Sequence, residues 1–269
     1  MSYRLIQGSA HDMREIADRS VHMVVTSCPY YNLRAYAGDQ GILWPTVEYS
    51  PMPGLPPLRI QGCEPGCVHE WVDGPVKTQS SQRDSYNGAF LDTKGETASK
   101  RGASFTTTQG AYCIHCGGWR GPLGLEGDIS AYIGHLMLVL RELWRVVRDD
   151  GLVFWNISDS YLGSANSGGI GRRGDGGAPY RIGNLPSKKI TGLQPKNMML
   201  IPSRFALAAQ ADGWIVRSAM PWIKRNGMPE SVTDRPSQVV ESIFILAKSE
   251  RYFWDGEAVK QANSPASVF

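Results

Sequence analysis

The sequence predicts an α/β fold, and three alternations of pattern point to it. Tyr3 to Gln7 and His22 to Thr26 have the composition of short strands and enclose a polar, helix-like stretch, Asp12 to Arg19. An amphipathic stretch, Ile129 to Val147, is followed within a few residues by the apolar run Leu152 to Ile157. A further helix pattern, Met198 to Ala211, precedes strand patterns at Trp214 to Trp222 and Ser242 to Ala247. Strands alternating with helices imply a largely parallel sheet with helices packed on it.

Each element has its own signal. The run HMVVTS is nearly continuous in apolar and β-branched residues, which suits a buried parallel strand, and it stops at Cys28-Pro29. In the central helix Ile133, Leu136, Leu140, Leu143, Trp144 and Val147 fall on one face. Asp149-Asp150-Gly151 then ends it, and Arg225 to Pro236 is rich in turn formers.

The 269 residues, 42% hydrophobic and 20% charged, suffice for one large domain or a domain with a small module, and exclude a disordered or collagen-like chain. Thirty glycines and 17 prolines predict long irregular insertions. A net charge of +3 allows contact with a polyanion without diagnosing it. No stretch reaches the ~20 apolar residues of a membrane span and the N-terminus has no signal-peptide pattern, so a cytoplasmic protein with no membrane partner is expected.

Two insertions interrupt the pattern. Apolar periodicity is lost from Ala35 to Gly127, where Pro, Gly, Ser and Thr dominate Ser80 to Thr108. A loop of that length needs a function or its own staple. The second insertion, Gly163 to Lys196, has nine glycines and six basic residues (Arg172, Arg173, Arg181, Lys188, Lys189, Lys196) against Asp175, a local charge of +5. Such a loop suits a phosphate backbone, and its composition equally fits a solvated linker.

Cysteines bracket the Ser/Thr-rich stretch: Cys63-x3-Cys67-x-His69 before it and Cys113-x2-Cys116 after it. Short-spaced pairs are what a tetrahedral zinc ion needs, and in a reducing compartment this use is favoured over disulfides. Cys113-Ile-His-Cys116-Gly-Gly-Trp is similar to a zinc knuckle. Cys67, Cys113 and Cys116 are the firm ligands, with His69 or Cys63 as the fourth. His115 is assigned to the knuckle surface, and the knuckle would bring Trp119 and Arg120 towards DNA.

Thr26-Ser27-Cys28-Pro29-Tyr30-Tyr31 sits where the second strand stops, and open α/β sheets bind ligands beyond the carboxyl ends of their strands. Pro29 stiffens the turn and restrains Cys28. The Ser27 hydroxyl and the Cys28 carbonyl can accept hydrogen bonds from an amino group, and Tyr30 offers a flat face to a heteroaromatic ring. That set would hold a flipped nucleobase by its exocyclic amine.

VVTSCPYYNLRAY resembles the catalytic motif of amino-group DNA methyltransferases, (Ser/Asp/Asn)-Pro-Pro-(Tyr/Phe), and in particular the Thr-Ser-Pro-Pro-Tyr form of the N4-cytosine/N6-adenine family; Cys28 replaces the first proline. Asp149-Asp150-Gly151 with LVFWNISDSY, the run Asn226 to Pro236, and ESIFILAKSERYFWD resemble later segments of that family. The resemblance implies a Rossmann-like S-adenosylmethionine-dependent methyltransferase sheet, double-stranded DNA as partner, and methyl transfer to the amine of a flipped base. Serine at position 27 favours cytosine N4 over adenine N6. It implies catalytic roles for Ser27, Cys28, Pro29 and Tyr30, with Cys28 acting through its carbonyl rather than as a nucleophile. Gly8, Ser9 and Asp159 would contact the donor, and Arg34, Arg172, Arg173, Lys224, Asn226, Ser231 and Arg235 would contact DNA. Relatives with a comparable insertion favour His69 as the fourth ligand.

The family's donor-binding turn, Asp-Pro-Phe-x-Gly-Ser-Gly, has no counterpart here; in permuted members it follows a segment corresponding to Tyr252 to Asp255. An incomplete sheet is therefore expected, holding strands three to seven of the family without one and two, with an unpaired edge and an uncovered apolar face. The expected parts are a partial catalytic domain (1–34 and 128–269), a zinc-knuckle insertion (35–127), and the basic loop (163–197). A second chain would supply the donor half; otherwise the protein would be an inactive, zinc-containing DNA-binding fragment. A nicotinamide enzyme is excluded by the lack of Gly-x-Gly-x-x-Gly after the first strand.

Overall fold

The structure, a computed structural model, describes residues 3–31, 41–73, 76–79, 105–108, 110–162, 193–194, 196–227 and 233–260. Its centre is a four-stranded sheet of β1 (Val21–Ser27), β9 (Val147–Ile157), β11 (Val240–Ala247) and β10 (Ile215–Ile223), in that spatial order. β1 and β9 are parallel, and β11 is antiparallel to both β9 and β10.

Two helices, α1 (Ile129–Val146) and α2 (Ile201–Ala211), pack on one face of this sheet. Asp128 caps α1 by accepting hydrogen bonds from the backbone N–H of Ser130 and Ala131. The buried face of α1 carries Tyr132, Leu136, Met137, Leu140 and Leu143, which meet Val153, Trp155, Phe205 and Phe244 in the main core. Leu136 is 0% exposed. Leu136→Ala should therefore cost about 2–5 kcal/mol of stability, measurable by denaturant unfolding.

Between β1 and α1 the described residues hold seven short strands: β2 (Val47–Tyr49), β3 (Leu58–Ile60), β4 (Trp71–Asp73), β5 (Val76–Gln79), β6 (Phe105–Thr108), β7 (Ala111–Cys113) and β8 (Trp119–Arg120). They form three small sheets, β2-β3, β4-β7-β8 and β5-β6. A stacked series of rings joins the module to α1: His135 lies between Trp44 (4.2 Å) and Trp119 (5.6 Å), and its Nδ1 meets buried Glu126 at 2.9 Å. Trp119 is thereby part of the interior rather than a side chain offered to DNA, and Arg120 lies over the Trp71 ring.

Four expectations need correction. Tyr3 to Gln7 is not a strand; Tyr3 and Leu5 are each 88% exposed, because no neighbour among the described residues pairs with them. Asp12 to Arg19 forms turns instead of a helix, since α1 captures its backbone: Arg145 donates to the carbonyls of Met13 and Ile16, and Glu142 accepts from the Met13 N–H. α1 ends at Val146, before Asp149-Asp150-Gly151, because wholly buried Val147 already pairs with Val21. The helix expected from Met198 begins at Ile201, after Leu200 in the left-handed region (φ 54°).

β1 also differs from the fully buried strand expected of HMVVTS. Met23 (59%) and Val25 (72%) are exposed on the face opposite α1 and α2, and among the described residues only β9 pairs with β1. That bare face continues through Phe154, Ile243, Met220 and Trp222. Among the described residues no helix is long and apolar enough to cross a membrane.

Candidate functional site

β1 and β9 run the same way and end together, Ser27 opposite Asn156. β11 runs the other way, so its first residues join them at this edge: Ser242 pairs with Ile157 and Ile243 with Asn156. The sheet thus collects Ser27, Asn156 and Glu241 at one end, although they come from distant parts of the chain.

The elbow after β1 is anchored from below. Buried Tyr132 of α1 donates its hydroxyl hydrogen to the Pro29 carbonyl at 2.8 Å and lies 3.4 Å from the Cys28 sulfur. Gly124, with φ of +92°, closes over the turn so tightly that a Cβ there would sit 2.9 Å from the Tyr30 carbonyl oxygen. Cys28 is 7% exposed, and burial pushes its thiol up to about 11. It stays protonated at neutral pH, consistent with a structural side chain and no nucleophilic role.

Above the anchor, Ser27 is exposed and opens onto a cavity of about 410 Å³ lined by Val25, Asn156, Met220 and Trp222 among others. That volume and apolar character fit a small organic ligand. The Ser27 hydroxyl donates to the Tyr30 hydroxyl (3.2 Å), and the Tyr30 hydroxyl donates to Glu241 Oε2 (2.7 Å). Asn156 Nδ2 donates to the same oxygen (3.1 Å), and the Lys224 ammonium pairs with Glu241 Oε1. Burial favours the neutral acid at Glu241, but hydrogen bonds from Lys224, Tyr30 and Asn156 outweigh it and lower its pKa, leaving an ionised carboxylate. Burial, assisted by that carboxylate, raises the pKa of the Tyr30 phenol strongly.

Sequence reasoning missed Glu241, Asn156 and Tyr132. Glu241 opens the quoted stretch ESIFILAK, yet only strand register reveals that it faces Tyr30. Tyr132 stands four residues before Leu136 on the apolar face, so its position was readable but its partner was not.

The other expected contacts are scattered. Gly8 has open space around it, and Ser9 Oγ lies 2.6 Å from His11 Nδ1. Asp159 Oδ1 accepts from the N–H of Ser160 (2.8 Å) and Ile201 (3.1 Å), fixing the start of α2. Lys224 is engaged with Glu241, Asn226 lies in a turn, and Arg235 stacks on Tyr161 at 3.8 Å. Arg34, Arg172, Arg173 and Ser231 lie outside the described residues, as does most of the basic loop.

A second cluster lies in the β4-β7-β8 module. One ligand atom from each of Cys67, His69, Cys113 and Cys116 falls within 4.8 Å of the others. Gly117, with φ of 72°, turns the knuckle, and its N–H donates to the Cys113 carbonyl at 2.9 Å. Cys63 instead directs its sulfur to the Trp119 carbonyl at 3.5 Å, outside the group of four. His115 is on the surface, 3.5 Å from Glu70. Burial works against the Cys113 thiolate, but backbone N–H groups of Cys116, His115 and Glu70 and the His69 ring bring its pKa down to about 5. Burial and the neighbouring sulfurs push Cys67 up to about 12. Three thiols and an imidazole form a soft S/N donor set that suits zinc.

A small mixed sheet with a polar cradle at its strand ends and helices packed on one face is an α/β arrangement that places a ligand site at the strand ends. A family model described as DNA methylase, for the N6 and N4 amino-methyltransferases, matches residues 21–268, and the chain belongs to that family. It is 41% identical over 140 residues (52% of this chain, 45% of the relative) to the type II methyltransferase M.Cfr9I of Citrobacter freundii. It is 38% identical over 147 residues (55% and 48%) to M.SmaI of Serratia marcescens, and 37% over 138 residues (51% and 29%) to M.SfiI of Streptomyces fimbriatus. The chain spans about half the length, or less, of these curated relatives.

Proposed function

We propose that the chain provides the target-base half of a type II, restriction–modification DNA methyltransferase that moves a methyl group from S-adenosylmethionine to the exocyclic amine of a flipped base in double-stranded DNA. Cytosine N4 is the favoured acceptor and adenine N6 the alternative. The observation that carries this reading is Ser27, exposed at the tip of β1 over an apolar cavity of about 410 Å³, on an elbow anchored by Tyr132. An exocyclic amine is a poor nucleophile because its lone pair is shared with the ring. Hydrogen bonds from its N–H groups to Ser27 Oγ and the Cys28 carbonyl localise that pair towards the methyl group, while Tyr30 flanks the ring. Pro29 holds the elbow stiff, and its own carbonyl is already taken by Tyr132.

The catalytic part comprises residues 1–34 and 128–269 in the permuted order, around an insertion at 35–127 in which Cys67, His69, Cys113 and Cys116 hold a structural zinc. The 163–197 loop, with Arg172 and Arg173, and the residues Arg34, Asn226, Ser231 and Arg235 form the DNA-facing side. Gly8, Ser9 and Asp159 make at most a partial donor site, since Asp159 Oδ1 already holds the start of α2. The rest of the donor site lies on elements outside these residues, whether a second chain or a continuation of this one. The edge of β1 that is unpaired among the described residues and the apolar face bearing Met23, Val25 and Phe154 support this, because they are the surfaces such a half would cover.

The test is expression of the chain together with a donor-binding half carrying Asp-Pro-Phe-x-Gly-Ser-Gly, in a bacterial host lacking its own DNA methylation, followed by genome sequencing that distinguishes N4-methylcytosine from N6-methyladenine. N4-methylcytosine within one short recurrent sequence is the expected result, and N6-methyladenine would select the alternative acceptor. An unmodified genome, coupled with salt-dependent DNA binding by the purified chain, would replace this reading with that of a zinc-containing DNA-binding fragment.

A further inference from the structure

The hydrogen bonds behind Ser27 all point one way. Ser27 spends its only hydroxyl hydrogen on Tyr30 at 3.2 Å, and Tyr30 directs its own to Glu241 at 2.7 Å, with Asn156 Oδ1 a longer second acceptor at 3.3 Å. The series ends on a carboxylate that is 7% exposed and is neutralised by Lys224, whose side chain is 45% exposed. The Ser27 oxygen is therefore left with lone pairs facing the cavity, an acceptor with nothing to donate. A buried carboxylate at a ligand-binding strand end, linked to the reacting group by two hydroxyls, goes beyond what holding β11 in the sheet requires: backbone pairing across Ser242–Ile157 and Ile243–Asn156 already does that.

We propose that Glu241 is the terminal proton acceptor of the methyl-transfer site and the residue that fixes Ser27 as a pure acceptor, acting through Tyr30. This rests on the amine-methylation reading above. In the transfer the amine nitrogen forms a bond to the methyl carbon as the sulfonium S–C bond of the donor breaks, and the positive charge passes to nitrogen. The nitrogen then gives a proton to Ser27 Oγ, the Ser27 hydrogen moves to Tyr30 Oη, and the Tyr30 hydrogen moves to Glu241 Oε2. Glu241 ends neutral and releases the proton to solvent on the Lys224 side. Asn156 Nδ2, which also donates to Oε2, keeps that oxygen turned towards Tyr30. No outside acid, base or oxidant is needed.

Glu241→Gln keeps the shape and removes the acceptor of a proton. Two measurements test it. In the first, the variant replaces the wild-type chain in the genome-sequencing assay at matched soluble protein. The expected result is a drop in modified sites that a purified single-turnover assay resolves as about a 100-fold slower transfer, with DNA affinity within about twofold of wild type and partial rescue by Glu241→Asp. In the second, 3,5-difluorotyrosine at position 30 is titrated by 19F NMR. The groups facing that phenol are Glu241, Asn156, Ser27 and the Cys28 thiol, with Lys224 behind Glu241. Glu241→Gln should shift its ionisation to lower pH by about one unit, a tenfold change in acidity. A wild-type genome that is modified while Glu241→Gln modifies it as fully and as fast overturns the role of Glu241 alone. An unshifted 19F titration overturns the hydrogen-bond series whatever the activity. An unmodified wild-type genome overturns the parent reading, and this proposal with it.

Discussion

Ser27→Ala should slow methyl transfer by about 10²–10³-fold while leaving folding and DNA affinity nearly unchanged. The side chain is exposed, so its removal opens no cavity in the core, and the elbow keeps its Tyr132–Pro29 hydrogen bond. The lost rate reflects the loss of an acceptor that is pre-aimed, because its single hydrogen is already held by Tyr30. Single-turnover transfer of a labelled methyl group to DNA measures it, with a DNA-binding isotherm as the control. Undiminished transfer would remove Ser27 from the chemistry.

Withdrawing metal from the cysteine module should have the second large effect. Chelation, or Cys113→Ser, should abolish the ordered module around β4, β7 and β8 and lower zinc affinity by more than the roughly 10–100-fold that disturbing a ligand's hydrogen-bond partners costs. The module is small and its three strands contribute only two to three pairs each, so beyond the Trp119–His135 stack and the Trp44–Gly121 hydrogen bond little else organises it. Zinc titration with one-to-one stoichiometry, lost in Cys113→Ser and retained in Cys63→Ser, is the expected outcome. Affinity should fall as pH falls, since thiolates are the ligands and protons compete for them. Because His135 stacks on Trp119 and Trp44, metal loss should also loosen the seat of α1, visible as a change in tryptophan fluorescence.

Much of the site was legible beforehand because it depends on short spacing. A strand that stops at Cys28-Pro29, an amphipathic helix and two cysteine pairs are each written within a few residues. The fourth member of the Cys/His cluster was not: Cys63 and His69 both stand within four residues of Cys67 along the chain, and only the fold turns His69 towards Cys116, 3.6 Å away, and Cys63 towards a carbonyl. The N-terminal strand was misread for the opposite reason. Tyr3 to Gln7 has strand composition, but a strand exists only where a neighbour takes its N–H and C=O groups, and none among the described residues does so.

By itself, then, the sequence determined the strand stop at Cys28-Pro29, the principal helix and the close-spaced cysteine pairs, since local sterics and periodicity act over a single turn or strand. Tertiary structure alone decided that Glu241 meets Tyr30 across 211 residues, because antiparallel pairing of β11 carries its first residues to the edge where β1 and β9 end. It decided equally that, among the described residues, one face of the sheet is packed by helices while the other carries only the small Leu152–Ile245–Ala247 cluster and is open from Met23 and Val25 to Trp222, a matter of where α1 and α2 find apolar partners rather than of any residue's own preference.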